Sequence, residues 1–450
     1  MNLGLKELGG NIFTTLVRQG LVIGAGLGLA ILLARVLGPQ GNGRYALALL
    51  LPTMLSTLLN LGVAPANVYF LGRGSVSVRR ALSVTLRLWL VLSALGVGGG
   101  ILAVLVWGQV WFSGVPILLL WFALSSFPVT LLQSFLVSLL QGVQDFRRYN
   151  LVSLVAPVLT LGFVLVTVLI LGWGVVGAVA SFFAANVVSL LVSLWALKPH
   201  LVQSQVTQDG MSETDVSETY TTELINYGWK AHLSNILAFV NYRADILLIN
   251  FFLTPVSVGI YVVAVQLAER MWVLSQAVST VLLPRLSQLH QDAAKQQELT
   301  SLVSRWVFAV SVVAALLLAS LAAPLILLLF GRDYSLAIST LLWLLPGVVL
   351  GSVARILSND LAARGRPDLN LYVSLVVVSV NISLNLLLIP RMGITGAAIA
   401  TTLAYSFNAV IKVWLYNRFV SGRWWQPLVL NRADWRLFQK GVTYLKGRAL

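Results

Sequence analysis

Apolar segments of twenty or more residues, broken by short polar turns, recur along nearly the whole of this sequence. Residues 306–329, WVFAVSVVAALLLASLAAPLILLL, carry no charge at all. A segment of that length and polarity is suited to cross a bilayer. There every backbone N–H and C=O must be satisfied within the protein, which leaves helices or a closed barrel. A barrel strand alternates polar and apolar residues, and these runs do not. With 58% hydrophobic and 10% charged residues, the chain has more apolar surface than a soluble core could bury. The expected class is an all-α polytopic membrane protein.

Helices are expected at roughly 10–36, 45–70, 83–107, 116–140, 150–171 and 174–197, then at roughly 228–253, 257–283, 305–330, 336–358, 369–389 and 395–418. That is about twelve, six in each half. The halves share internal similarity. Leu32, Leu37, Pro39, Gly43, Tyr45 and Ala48 meet Leu248, Leu253, Pro255, Gly259, Tyr261 and Ala264 at a constant offset. A second set agrees, with Gly174, Gly177, Ala178 and Ala185 against Gly393, Gly396, Ala397 and Ala404. An even number of spans per half keeps the second half in the orientation of the first. The expected pseudo-twofold axis therefore runs along the membrane normal, between an N-lobe at 1–197 and a C-lobe at 228–418.

The net charge of +15 would suggest a nucleic-acid partner in a soluble protein. Here its placement accounts for it, because Lys and Arg mark cytoplasmic loops. With the amino terminus inside, one set of turns holds Arg73, Arg79, Arg80, Arg147, Arg148, Lys198, Lys230, Arg285, Lys295, Arg364 and Arg366. The opposite turns hold only Arg35, Arg44, Arg332 and Arg391. Both termini are placed in the cytoplasm. No nucleic-acid partner is expected.

Residues 198–227 are polar and acidic, with Asp209, Glu213, Asp215, Glu218 and Glu223, and read as a flexible cytoplasmic linker. The tail at 419–450 mixes aromatic and basic residues without the length to span, which suits an interfacial amphipathic helix attracted to anionic lipid.

The chain lacks cysteine, and its three histidines offer no ligand spacing, so no metal site or thiol chemistry is expected. Gly24, Gly26 and Gly28 resemble a nucleotide fingerprint only superficially. No strand precedes them, and small residues for close helix packing are the simpler reading. No Gly-rich loop ends in Lys-Ser or Lys-Thr, so there is no sign of an ATP motor.

Charge inside a span is costly and marks a cavity or a partner. Arg18, Arg243, Asp245, Glu269, Arg270 and Arg355 meet that description. Arg355 is near a helix end, where snorkelling to the interface explains it, while Arg270 with Glu269 is equally open to structural pairing. The excess of arginine favours an anionic substrate, since guanidinium matches phosphate. Asn381 and Asn385 fall one turn apart and could line a hydrated path for a glycan or join helices by hydrogen bonds.

The P-x3-G-x-Y-x2-A turn in both halves, the stretch NYRADILLINFF at 241–252 and LLPRLSQL at 282–289 resemble the polysaccharide-transport branch of the multidrug/oligosaccharidyl-lipid/polysaccharide (MOP) flippase superfamily, the Wzx type. The resemblance covers residues 1 to about 420. It implies two six-helix bundles that alternate access and move a polyprenyl-pyrophosphate-linked oligosaccharide across the cytoplasmic membrane. Transport rather than catalysis is implied, with no cofactor. Partners would be the lipid-linked oligosaccharide, membrane lipids and the polymerase or glycosyltransferase machinery. On this reading Arg18, Arg243 and Arg270 are the candidate anion contacts, Asp245 and Glu269 the candidates for ion coupling, and Asn381 and Asn385 candidates for the glycan path. The rival readings are a drug/cation antiporter, which would favour an acidic cavity, and a non-transporting scaffold for polymer assembly.

Overall fold

The computed structural model describes residues 2–203, 213–289, 292–419, 425–431 and 434. Side chains are described over the same residues except 2–16, 203, 213–219, 230, 231 and 284. Among them the structure is helical throughout, with no strand.

Two compact units divide the chain, Met1–Gly259 and Ile260–Leu450. The first contains α1 (Asn2–Leu59), α2 (Val63–Gly72), α3 (Val78–Trp111), α4 (Ile117–Gly142), α5 (Phe146–Val164), α6 (Gly174–Gln203), α7 (Glu213–Phe252) and the start of α8 (Pro255–Glu269). The second contains the rest of α8, α9 (Trp272–Gln288), α10 (Ala293–Leu329), α11 (Leu336–Ala363) and α12 (Pro367–Phe419).

Among the described residues, eight helices are long and apolar enough to cross a membrane. Two of these, α1 and α12, are each a pair of spans joined at a glycine with non-helical backbone, Gly38 and Gly393. α8 and α9 add a broken span bent by 45°. α7, with 40 residues, is also long enough and fails only by its polar content. Among the described residues the count reaches the expected twelve.

The second repeat has a structural counterpart in each unit. Gly174 has φ 57° and Gly393 has φ 61°, a left-handed conformation that a side chain would strain. Three residues on, Gly177 and Gly396 each press against the preceding helical segment. An added methyl would lie 3.2 Å from the Thr167 carbonyl in one case and 2.3 Å from that of Leu388 in the other.

Helix starts follow local chemistry. Ser77, Asp145 and Asp292 accept hydrogen bonds from the backbone N–H groups of Arg80, Arg148 and Lys295, satisfying donors that a helix N-terminus leaves open. Packing relies on small residues meeting large ones, as expected where lipid removes the hydrophobic drive between helices. In α3, Gly96 faces Phe127 and Leu59, and Gly100 faces Leu124. Leu118, Ile170, Val281 and Leu328 are each more than 70% exposed, as a lipid-facing surface leaves them. By contrast, a methyl on Gly24 would meet nothing within 4 Å, so this glycine does not serve the close packing expected of it.

Three features depart from expectation. The linker is shorter, because α6 runs to Gln203 and α7 begins at Glu213. Tyr220 and Leu224 are buried, and the Tyr227 ring stacks on Tyr69 at 4.3 Å, so the segment's second half is a docked helix rather than a tether. The expected second span breaks at residues 60–62, and the expected eighth at Arg270. Residues 204–212, and the basic tail residues Arg423, Arg432, Arg436, Lys440, Lys446 and Arg448, lie outside the described residues. The described part of the tail docks on α10. Arg305 pairs with Asp434 at 2.7 Å and donates to the Gln426 carbonyl at 3.0 Å.

Candidate functional site

The break between α1 and α2 sets up the site. After Leu59 the chain turns through Asn60, Leu61 and Gly62, with φ 48° at Leu61 and 72° at Gly62. Irregular backbone at membrane depth survives where protein or a cavity satisfies it. Here His232 of α7 donates from Nε2 to the Leu58 carbonyl at 3.0 Å, one of the acceptors that the end of α1 leaves open.

Beside this break is a cavity of about 510 Å³. Thr53, Ser56, Thr57 and Asn60 line one wall, Thr130 and Ser134 of α4 a second, and His232 and Asn235 of α7 a third, with Phe182 and Phe239 among them. Among the described side chains, no Asp, Glu, Lys or Arg lines it.

α7 is held to the rest of the first unit at two points. At one, partway along the helix, Gly62 and Gly228 approach so closely that a methyl on Gly62 would lie 2.1 Å from the Gly228 carbonyl. At the other, the Asn250 amide donates to the carbonyls of Trp111 at 3.1 Å and Ser113 at 3.3 Å, and Phe251 packs on the Trp111 ring. His232, Asn235 and Phe239 lie in the stretch between these contacts.

The residues singled out from sequence are scattered relative to this cavity. Arg18 lies over the Tyr149 ring at 5.4 Å, with its Nε buried and without a hydrogen-bond partner. Arg243 is half-buried and donates to the Tyr242 carbonyl at 3.3 Å, while the buried Asp245 accepts from the Ile246 N–H at 2.8 Å. Both side chains thus engage the backbone of their own helix. Glu269 ends α8, and Arg270 is exposed at the α8–α9 bend. Asn381 and Asn385 are fully buried, and Asn385 donates to the Asn381 backbone carbonyl at 2.9 Å and side-chain oxygen at 3.0 Å. The pair joins one helical turn inside the second unit and does not line this cavity. Arg355 lies over the Trp272 ring at 5.3 Å.

Sequence reasoning passed over Lys412, which is buried in α12 and donates to the Ser358 hydroxyl. A lone lysine in the run AVIKVWLY was the available signal. It also passed over His232 and the break. The order Asn60-Leu61-Gly62 followed by Pro65 reads as a helix stop and restart once composition is set aside.

The spans, breaks and buried polar groups define a multi-pass membrane protein with the MOP-superfamily fold. A structure of the lipid II flippase MurJ in an inward closed conformation superposes with TM-score 0.70 at 15% identity, covering 90% of this chain and 87% of that one. An inward-facing MATE family transporter of the MOP superfamily superposes with TM-score 0.73 at 16% identity, covering 88% and 94%. The chain belongs to the polysaccharide biosynthesis protein family, whose model matches residues 8–290. It is 31% identical over 206 residues to a Haloferax volcanii protein named as a probable low-salt glycan biosynthesis flippase, covering 44% of this chain and 42% of that one. It is 28% identical over 154 residues to the capsular polysaccharide biosynthesis protein CapF of Staphylococcus aureus, covering 32% and 37%. The chain thus spans about two fifths of the length of these relatives.

Proposed function

We propose that this protein is a flippase that carries a polyprenyl-diphosphate-linked oligosaccharide from the cytoplasmic to the outer leaflet of the cytoplasmic membrane. It would alternate access between two lobes, 1–197 and 228–418, with 198–227 connecting them and both termini in the cytoplasm. The observation that carries this reading is the cavity beside the broken helix, polar yet uncharged, in a chain of the polysaccharide biosynthesis family. Relatives named as flippases support it. A cargo rich in hydroxyls can exchange its water for such a lining at little cost, whereas an apolar lining would strip those hydroxyls unpaired.

In this reading Arg18, Arg243 and Arg270 contact the diphosphate or acidic sugars, and Asp245 and Glu269 serve ion coupling. The exported lipid-linked glycan would pass to polymerase or glycosyltransferase machinery. A drug/cation antiporter is less well supported, because the cavity offers no carboxylate to hold a cation.

Depleting the protein in its native cells tests the reading. Lipid-linked oligosaccharide should then accumulate in the cytoplasmic leaflet, inaccessible to an impermeant lectin until the membrane is opened. Unchanged access in depleted cells would argue against it. Because the chain has no cysteine, single cysteines test the orientation. Positions in 108–114 should react with an impermeant thiol reagent in intact cells, and positions in 205–220 should not.

A further inference from the structure

Four of the five hydroxyls around the first-unit cavity are turned the same way. A Ser or Thr hydroxyl has one hydrogen to donate and two lone pairs to accept with. Thr53 gives its hydrogen to the Leu49 carbonyl at 2.7 Å, and Thr57 to the Thr53 carbonyl at 2.9 Å. Thr130 gives its own to the Ser126 and Phe127 carbonyls at 3.1 and 3.0 Å, and Ser134 to the Leu131 carbonyl at 2.8 Å. These four hydroxyls are tied back into their own helices, so what they leave for the cavity is lone pairs; the fifth, Ser56, lies 3.5 Å from Thr130 Oγ1. His232 likewise has its Nε2–H committed to the Leu58 carbonyl. The lining is therefore rich in acceptors. The side-chain amides of Asn60 and Asn235 supply donors.

This inventory selects a ligand. A phosphate or carboxylate carries acceptors only, and would face lone pairs with no cation among the described lining side chains. An ammonium would bring donors, but its charge would find no carboxylate. An uncharged sugar brings hydroxyl donors around its edge and an apolar C–H face, and Phe182 and Phe239 offer that face a partner. The volume of about 510 Å³ falls in the range of small-molecule sites, roughly 300–1,000 Å³.

We propose that this cavity binds uncharged sugar units of the cargo through their hydroxyl donors, and that the diphosphate binds elsewhere. The assignment rests on the flippase reading, but it names a different thing: which part of the cargo this site takes. It also separates the site from Arg18, Arg243 and Arg270, none of which lines the cavity.

The test uses the full chain in liposomes with two independent readouts. A neutral disaccharide bearing a diazirine is photolysed with the protein and the adducts are mapped. Translocation of a polyprenyl-diphosphate-linked neutral oligosaccharide is measured in the same preparation. Adducts should fall within residues 52–65, 130–134, 182 or 232–239 and should be suppressed by excess maltotriose. Trigalacturonate, inorganic pyrophosphate and tetraphenylphosphonium should not suppress them. Thr57→Val, which is isosteric, with Ser134→Ala, which removes a single oxygen, takes away two acceptors and should cut labelling by about fivefold or more, with the melting temperature unchanged. Adducts elsewhere or none, or suppression by trigalacturonate or the organic cation as strong as by maltotriose, would overturn the assignment. Translocation without adducts at this cavity sinks the site and leaves the flippase reading. Adducts at the cavity without translocation do the opposite.

Discussion

Gly43 and Gly259, which occupy the same position in the sequence repeat, meet in a reciprocal backbone contact. A methyl on Gly43 would lie 1.7 Å from the Pro255 carbonyl oxygen, and a methyl on Gly259 would lie 2.0 Å from that of Pro39. Each glycine therefore rests on the proline that opens the other copy of the turn. The Asn42 amide adds a hydrogen bond to the Gly259 carbonyl at 3.3 Å. The repeated motif is the contact surface, which explains why its glycine and proline stand at the same spacing in both copies.

Gly43→Ala and Gly259→Ala should each destabilise the protein. On an open helix surface, alanine would be worth up to about 1 kcal/mol over glycine. Here the methyl strikes main-chain atoms that cannot rotate away, and overpacking of this kind costs about 1–3 kcal/mol or more. Gly24→Ala, which meets nothing within 4 Å, is the control and should leave stability level or slightly raised. Melting curves of the three variants in detergent decide the matter. Equal behaviour would mean that the turns separate easily.

Much of the fold was legible because bilayer physics writes it in composition. Runs such as 306–329 have no soluble alternative, and the paired Gly174 and Gly393 marked turns whose left-handed backbone the structure shares. The break at Asn60 was not legible by length, because α2 and the part of α1 after Gly38 together look like one apolar span. The docked half of the linker was hidden by its Ser, Thr and Glu content. Its signal was the spacing of Tyr220, Leu224 and Tyr227, four and three residues apart on one helical face. The site was least legible of all. Which way a threonine turns its hydroxyl depends on the carbonyl one helical turn back, and composition does not carry that.

The docked segment makes its own prediction. Leu224 is fully buried, so Leu224→Ala should cost roughly 2–5 kcal/mol by lost contacts and the void it leaves. Protease should then cut readily between residues 213 and 227. A variant as resistant as the wild type would show that the segment does not depend on this contact.

In the second unit, the fully buried Asp360 accepts from the Thr300 hydroxyl at 2.8 Å and from Arg364 Nε at 2.5 Å. Arg364→Ala strands a carboxylate away from water and should lower stability by roughly 3–5 kcal/mol. The paired replacement Asp360→Leu with Arg364→Met should recover most of that loss in thermal melts. No recovery would point to a role for the charges beyond pairing.

Asp145 sits in the α4–α5 turn with Arg148 at 2.9 Å and His200 at 3.0 Å. Burial pushes its carboxyl up, but the Arg148 backbone N–H, the His200 contact and the neighbouring charges outweigh that and hold it below the usual aspartate value. The unfolded value is about 3.9. The pair's contribution is therefore complete above that pH and is lost as pH falls through the lower folded value. Asp145→Asn should flatten this acid-side decline in melting temperature below about pH 4. An unchanged acid limb would show that other carboxylates dominate it.

The central claim is transport, and translocation in a defined membrane tests it most directly. Vesicles carrying the purified chain receive a fluorescent polyprenyl-diphosphate-linked oligosaccharide in both leaflets, and an impermeant quencher reports how fast the shielded pool reaches the outside. The account predicts steady conversion of the shielded pool, abolished by Arg243→Ala at equal protein content and partly retained by Arg243→Lys, which keeps the charge without the forked donors. Conversion no faster than in protein-free vesicles, under any ion gradient imposed across the membrane, would contradict it.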